Sequence, residues 1–289
     1  MRQQLTLSVL IGLVMTLAVL SYRVLFGEAP AHELMVVSAR SASVMTAGRG
    51  EARALGTGDV VGLTDVVRTS SEGTAALQYG NGAQLMLGDS TVMRVLDADS
   101  KGVRIEMDEG TVTARVRSGA PPLDVVSHGR SVRATDADFT VMVSQSGGLS
   151  AMAQRGQLEV QGVEGVNRLS QGRALHTNTA GAGLTLPVSD SLLLDVEWPE
   201  AEITRLAEGE VTGTTDPFAT VTLGEGEGAV RVRADEDGRF SALVGLAEGV
   251  NTVAITVRDV AGREAKRIET VRRDSTAPVI QSAEVVWGR

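Results

Sequence analysis

From Leu34 to about Asn178 apolar and polar residues alternate with a period of two, interrupted by glycine, and this pattern confines the chain to β structure. The stretch EGTAALQYGNGAQLMLGDSTVMRV, Glu72 to Val95, shows how tight the constraint is. A two-residue Asn81-Gly82 loop would pair Leu77 with Met86 and put Leu85 and Leu87 on the face opposite Leu77 and Tyr79. A three-residue loop, Gly80-Asn81-Gly82, aligns Tyr79 with Ala83, Leu77 with Leu85 and Ala75 with Leu87. All the large apolar groups then share one face. Because a one-residue slip turns every side chain over, the three-residue loop is expected, with Gly82 left-handed in a bulge.

The same reasoning extends along the chain. Val103, Ile105 and Met107 form one alternating run, and Val112, Ala114 and Val116 another. An even-length loop around Asp108-Glu109-Gly110 would bring both onto one face. Later runs are Phe139, Val141, Val143; Leu149, Ala151, Ala153; and Leu158, Val160. Residues 179–189 lose the alternation and read as a linker. From Leu192 a second β region begins, with Val221 and Leu223, Val230 and Val232, then Phe240, Ala242 and Val244, then Val253, Ile255 and Val257. Its short strands and turn signals fit an immunoglobulin-like sandwich. Apolar positions there match across a three-residue loop at Asp235-Glu236-Asp237-Gly238, repeating the device of the first hairpin.

Composition narrows the function classes. Aromatics are only 3% of the chain, so its cores must be built from Val, Leu, Ala and Ile. A net charge of −9 argues against a nucleic-acid partner, which needs a basic face. There is no cysteine, which excludes disulfides, thiolate metal sites and cysteine nucleophiles.

Leu5 to Tyr22 is a run without charge, followed by Arg23 and then VLF. Leu5 to Phe26 as a helix is about 33 Å long, enough to cross a hydrocarbon core of about 30 Å. An uncleaved anchor over residues 1–27 is expected, because the run exceeds the apolar region of a signal peptide. A signal peptide cleaved after Ala29-Pro30-Ala31 is the alternative. Either way the bulk of the chain is exported.

Residues 34–178 resemble the FecR domain family of bacterial envelope proteins. GTGDVVGLTDVVRT (56–69) looks like the family's paired Gly-Asp turns ending in Arg-Thr. YGNGAQLMLGDSTVMRV resembles its glycine-centred hairpin, and EMDEGTVTARV, AQRGQLEV and NRLSQGRAL its successive strand units. One departure is RATDADFTV, which has Asp136-Ala137 where the family carries Gly-Thr. Residues from about 195 to 275 are similar to bacterial immunoglobulin-like domains, through GEVTGTTDPFATVTL, ADEDGRFSALVGLAEGVNTVAITVRDVAGRE and DSTAP. Such domains serve as spacers or adhesive modules.

Candidate chemistry is sparse. His32, His128 and His176 lack companions at metal-ligand spacing. No Gly-x-Ser-x-Gly elbow and no phosphate loop occurs. Asp136 and Asp138 would share one side of a strand, where paired carboxylates can do acid–base work or bind a cation, or simply be solvated. Asp235, Glu236 and Asp237 could attract calcium, although Asp-Gly turns are expected there on conformational grounds. Arg115 and Arg117, or Arg130 and Arg133, could meet an anionic partner or form an exposed strand face. No catalytic, cofactor-binding or metal-binding residue is assigned, and no cofactor is expected.

The expected protein is therefore all-β: an N-terminal transmembrane helix (1–27), a FecR-like antiparallel β domain (34–178), a linker (179–189) and an immunoglobulin-like β-sandwich (190–275). The tail 276–289 reads as a further strand. The expected function is non-catalytic: binding or scaffolding at the bacterial inner membrane, with the C-terminal domains in the periplasm and an envelope protein or glycan as ligand. The resemblance also implies a sensor role, since FecR-type proteins regulate sigma factors through a cytoplasmic domain. Only Met1 to Gln4 precede the apolar run, so that role would need a separate cytoplasmic partner. An envelope enzyme acting on glycans would need paired catalytic carboxylates in a recognisable setting.

Overall fold

The computed structural model describes residues 33–46, 50–189, 191–198, 203–259 and 262–276. The expected membrane helix, His32 and all of the tail beyond Thr276 lie outside these residues. The described chain is all-β, its one helical element a short 3-10 turn at Gly226–Gly228. Among the described residues no helix is long and apolar enough to cross a membrane.

The strands from Leu34 to Pro187 form a single 14-stranded network around one apolar core. The opening hairpin has the expected register, Tyr79↔Ala83, Leu77↔Leu85 and Ala75↔Leu87. Tyr79, Leu77, Ala75, Leu85 and Leu87 are all buried. Its glycines differ from expectation. Gly80 is left-handed at φ +48°, while Gly82 is not among the residues of positive φ. Gly82 is required for a steric reason, because a Cβ there would lie 2.4 Å from the Ala120 Cβ.

The second expected hairpin does not exist. Gly102–Val116 is one strand of 15 residues. Val103, Ile105 and Met107 are buried, and so are Val112, Ala114 and Val116, although the first set is odd-numbered and the second even-numbered. A β-bulge absorbs the change of phase: Met93 pairs Met107, while the neighbouring Val92 pairs Glu109. Gly110 sits at this bulge with φ +100°, and a Cβ there would lie 2.3 Å from the Thr91 Cα. Thr91 donates its hydroxyl to the Thr111 carbonyl and accepts the Thr111 N–H at 3.0 Å. Leu149–Gln161 repeats the arrangement. Its buried phase passes from Leu149, Ala151 and Ala153 to Leu158 and Val160 across Gly156, which has φ +77°.

Each bulge lets one strand serve two sets of partners. The first half of Gly102–Val116 pairs Val92–Asp99 and, in parallel, Leu123–Ser127. The second half pairs Ala83–Leu87 and Ala137–Val143. Leu149–Gln161 likewise divides between Ala137–Val143 and Arg173–Thr177 at one end and Arg168–Ser170 and Arg130–Ala134 at the other. The residues read as a linker contain an edge strand, Gly183–Pro187, paired to Arg173–Thr177.

Beyond it, eight strands make two sheets. Leu194–Glu197, Glu208–Thr215 and Arg239–Gly245 form one. Ile203–Thr204, Glu264–Arg273, Gly249–Arg258, Thr220–Leu223 and Val230–Arg233 form the other, in that order. Val211, Val221, Leu223, Phe240, Ala242, Ile255 and Val257 are buried between them. The Asp235–Gly238 turn does not close a hairpin. It carries the chain from Val230–Arg233 in the five-stranded sheet to Arg239–Gly245 in the three-stranded one.

Candidate functional site

The two β units meet along a seam with a closely packed end and an open end. At the packed end Phe218 is fully buried and holds φ +62°. Its ring lies against Gly148, where a Cβ would come within 2.7 Å of it. It also faces the His176 ring at a centroid distance of 6.4 Å. His176 Nδ1 and Ser150 Oγ are hydrogen-bonded at 3.1 Å. Burial pushes the His176 pKa below its ordinary value; Asp216 opposes that shift and Arg263 adds to it.

Arg263 ties this end together. Its backbone N–H and Nε donate to Asp259, and its Nη2 pairs with both Asp259 and Asp216. Its Nη1 donates to the carbonyls of Ser189 at 2.9 Å and Ser191 at 3.0 Å, so the second unit grips the segment leading into it. The guanidinium fork suits this divided task, offering donors in several fixed directions. The Arg263 side chain is 8% exposed and that of Asp259 3%. Burial pushes the Asp259 carboxyl up, against the pull of Arg263. A small cavity of about 170 Å³ lies beside this cluster, lined in part by Met152, His176, Leu186 and Asp216.

At the open end lies a cleft of about 730 Å³. The first unit contributes Ser71, Glu72, Asp89, Ser90, Glu109 and the Ser144–Ser146 turn. The second contributes the outward face of the hairpin formed by Thr220–Leu223 and Val230–Arg233, on which Thr220 opposes Arg233 and Thr222 opposes Arg231. Arg231 Nη1 donates to the Ser71 carbonyl at 3.3 Å across the cleft. Arg233 has no hydrogen bond or ion pair among the described residues. Burial pulls its pKa down, and the carboxylates of Asp89 and Glu109 hold it up. Nearby, Glu236 accepts the Thr179 N–H at 2.9 Å.

The residues singled out in the sequence lie elsewhere. Asp136 lies in the bend just before Ala137–Val143 rather than on that strand with Asp138, and both are engaged by Arg155, with Arg115 also on Asp138. Arg133 pairs with Asp124, and Arg117 is exposed. Arg130 is buried and donates to the Thr177 hydroxyl and the Thr179 carbonyl. Asp235 accepts backbone N–H groups of Asp237 and Arg239, while Asp237 pairs with the Arg239 side chain. His128 shares a hydrogen bond with Ser127. Among the described residues no three His, Cys, Asp or Glu gather as a metal site would require. The seam residues escape a reading of the sequence, because Asp89 and Arg233 are remote along it and each reads locally as a solvated strand or turn position.

A comparison with curated proteins gave no match. Two crystal structures assigned as an anti-sigma factor of Parabacteroides distasonis are similar to part of this chain, at 24% and 23% identity, each with a TM-score of 0.38. Each match covers 42% of this chain, which spans 59% of the length of those proteins. Residues 65–165, a stretch of the first β unit, match the model of the family described as FecR protein.

Proposed function

We propose that the chain is a non-catalytic binding or scaffold protein of the bacterial cell envelope. An N-terminal helix anchors it in the inner membrane, and the FecR-type domain and an immunoglobulin-like sandwich stand in the periplasm. The observation that carries this reading is the family match over residues 65–165, in a unit packed against a second β unit at Phe218, with Arg263 holding the segment that joins them. Two β units joined in this way hold a cleft of fixed walls, which is what a binding module requires. The eight strands in two sheets around one core support the immunoglobulin-like assignment.

The family match equally favours a second reading, in which the periplasmic domains sense a signal and a separate cytoplasmic protein relays it. One experiment addresses both. A photo-crosslinking residue is placed at Thr222 in the cleft and activated in living cells, with protease added to spheroplasts in parallel. Capture of an envelope protein or glycan, with the β units open to protease, supports the binding reading. Capture that appears only when the signalling pathway is induced favours the sensor. Protease resistance in spheroplasts with capture of cytoplasmic proteins alone would overturn both.

A further inference from the structure

We propose that the cleft between the two β units binds a short zwitterionic peptide, with its carboxylate on Arg233 and its ammonium group among Glu72, Asp89 and Glu109. The proposal deepens the binding reading above and rests on it. Arg233 supplies the first argument. Its side chain is half-buried in the cleft wall and has no hydrogen-bond partner among the described residues, so a ligand carboxylate can dock on it in bidentate form. The opposite wall supplies the second. Glu72, Asp89 and Glu109 line the cleft, and none forms an ion pair among the described residues. Opposite charges on the two walls match a ligand charged oppositely at its two ends.

The remaining lining narrows the class. Ser71, Ser90, Ser144, Ser146, Thr220 and Thr222 offer hydroxyls that can both donate and accept, which suits peptide groups. Among the described residues no aromatic side chain lines the cleft, so they offer no stacking surface of the kind that favours a sugar ring or a nucleobase. Val230–Arg233 is the last strand of its sheet, and Arg231, Val232 and Arg233 line the cleft. An extended peptide can pair with such an edge through its main chain. The volume of about 730 Å³ falls within the range of small-ligand sites.

The test uses the full chain in detergent micelles and trialanine as probe, with binding followed by titration calorimetry. Trialanine should bind, and N-acetyl-trialanine and trialanine amide should each bind at least about tenfold more weakly, because each cap removes one charge. Arg233→Met should abolish discrimination against the amide, and Glu109→Gln should weaken discrimination against the acetyl form. The capped peptides report on the wild-type protein, so a misfolded variant does not blunt the test. No heat of binding at about 10 mM trialanine, or equal affinity for all three peptides, would overturn the proposal. Either result would leave the crosslinking test of the envelope role standing.

Discussion

In the first β unit the long strands stay continuous and change phase by bulging, whereas in the second the chain leaves one sheet and enters the other through a turn. The sequences at the two places look alike. Asp108-Glu109-Gly110 and Asp235-Glu236-Asp237-Gly238 are both acidic, end in glycine and separate apolar runs. The difference lies in what the first aspartate does. Asp235 Oδ1 takes the N–H groups of Asp237 and Arg239, closing a local turn that competes with strand pairing. Asp259 does the same with the Arg263 N–H. Asp108 makes no such bond among the described residues, and the backbone there remains in the sheet. A glycine at a phase change thus permits either outcome, and the local hydrogen bonding selects one.

The largest effect should come from breaking the ion cluster that ties the second unit to the segment before it. Arg263→Met removes the guanidinium from Asp259, a carboxylate withdrawn from water, and should destabilise the protein by about 4 kcal/mol. Urea unfolding of the full chain measures it. A loss below about 1 kcal/mol would mean that the cluster behaves as a solvated surface pair.

Breaking the first unit should cost somewhat less. Gly110→Ala combines a left-handed conformation with a clash against the Thr91 backbone, and should destabilise by about 3 kcal/mol. Gly129→Ala is the matched control, since Gly129 has φ +77° but nothing lies within 4 Å of where its methyl group would sit. It should cost only the conformational part, about 1 kcal/mol. Equal losses at both positions would show that the bulge is not held by its contact with Thr91.

Gly82 sharpens the contrast between conformational and steric demand. Gly82→Ala should cost about 2 kcal/mol through overpacking against Ala120. Adding Ala120→Gly should restore most of the loss, since the two sites share one contact. No recovery in the double variant would point back to a conformational cause at Gly82.

The register of the opening hairpin was legible in the sequence because burial on one face penalises every slip. The same logic misread Val103 to Val116, since parity reports which residues face the core and is silent on whether the chain turns or bulges between them. The second β unit was legible as strands, but their assignment to sheets depended on the Asp235 turn. The seam was not legible at all. His176 and Phe218 come together only after both units fold, and a charge on an alternating strand has the same local pattern whether water or another domain covers it.

The smallest expected effect is the pH response of the packed end of the seam. His176 is held neutral by burial, with Phe218 against its ring, Ser150 on Nδ1 and the opposed charges of Arg263 and Asp216 nearby. Its folded-state pKa lies below the ordinary 6.5, so the unfolded chain takes up the proton first as the pH falls. Stability is then fully present above pH 6.5 and declines as the pH drops toward the depressed folded value. Urea unfolding across this window should show that decline, and His176→Gln should flatten it. Arg263→Met should also shrink it, because a proton on His176 would no longer face a neighbouring cation. The second unit would then be shown to set the acid sensitivity of a histidine belonging to the first. A stability that holds level or rises on acidification would mean that Asp216 outweighs both burial and Arg263 at this position.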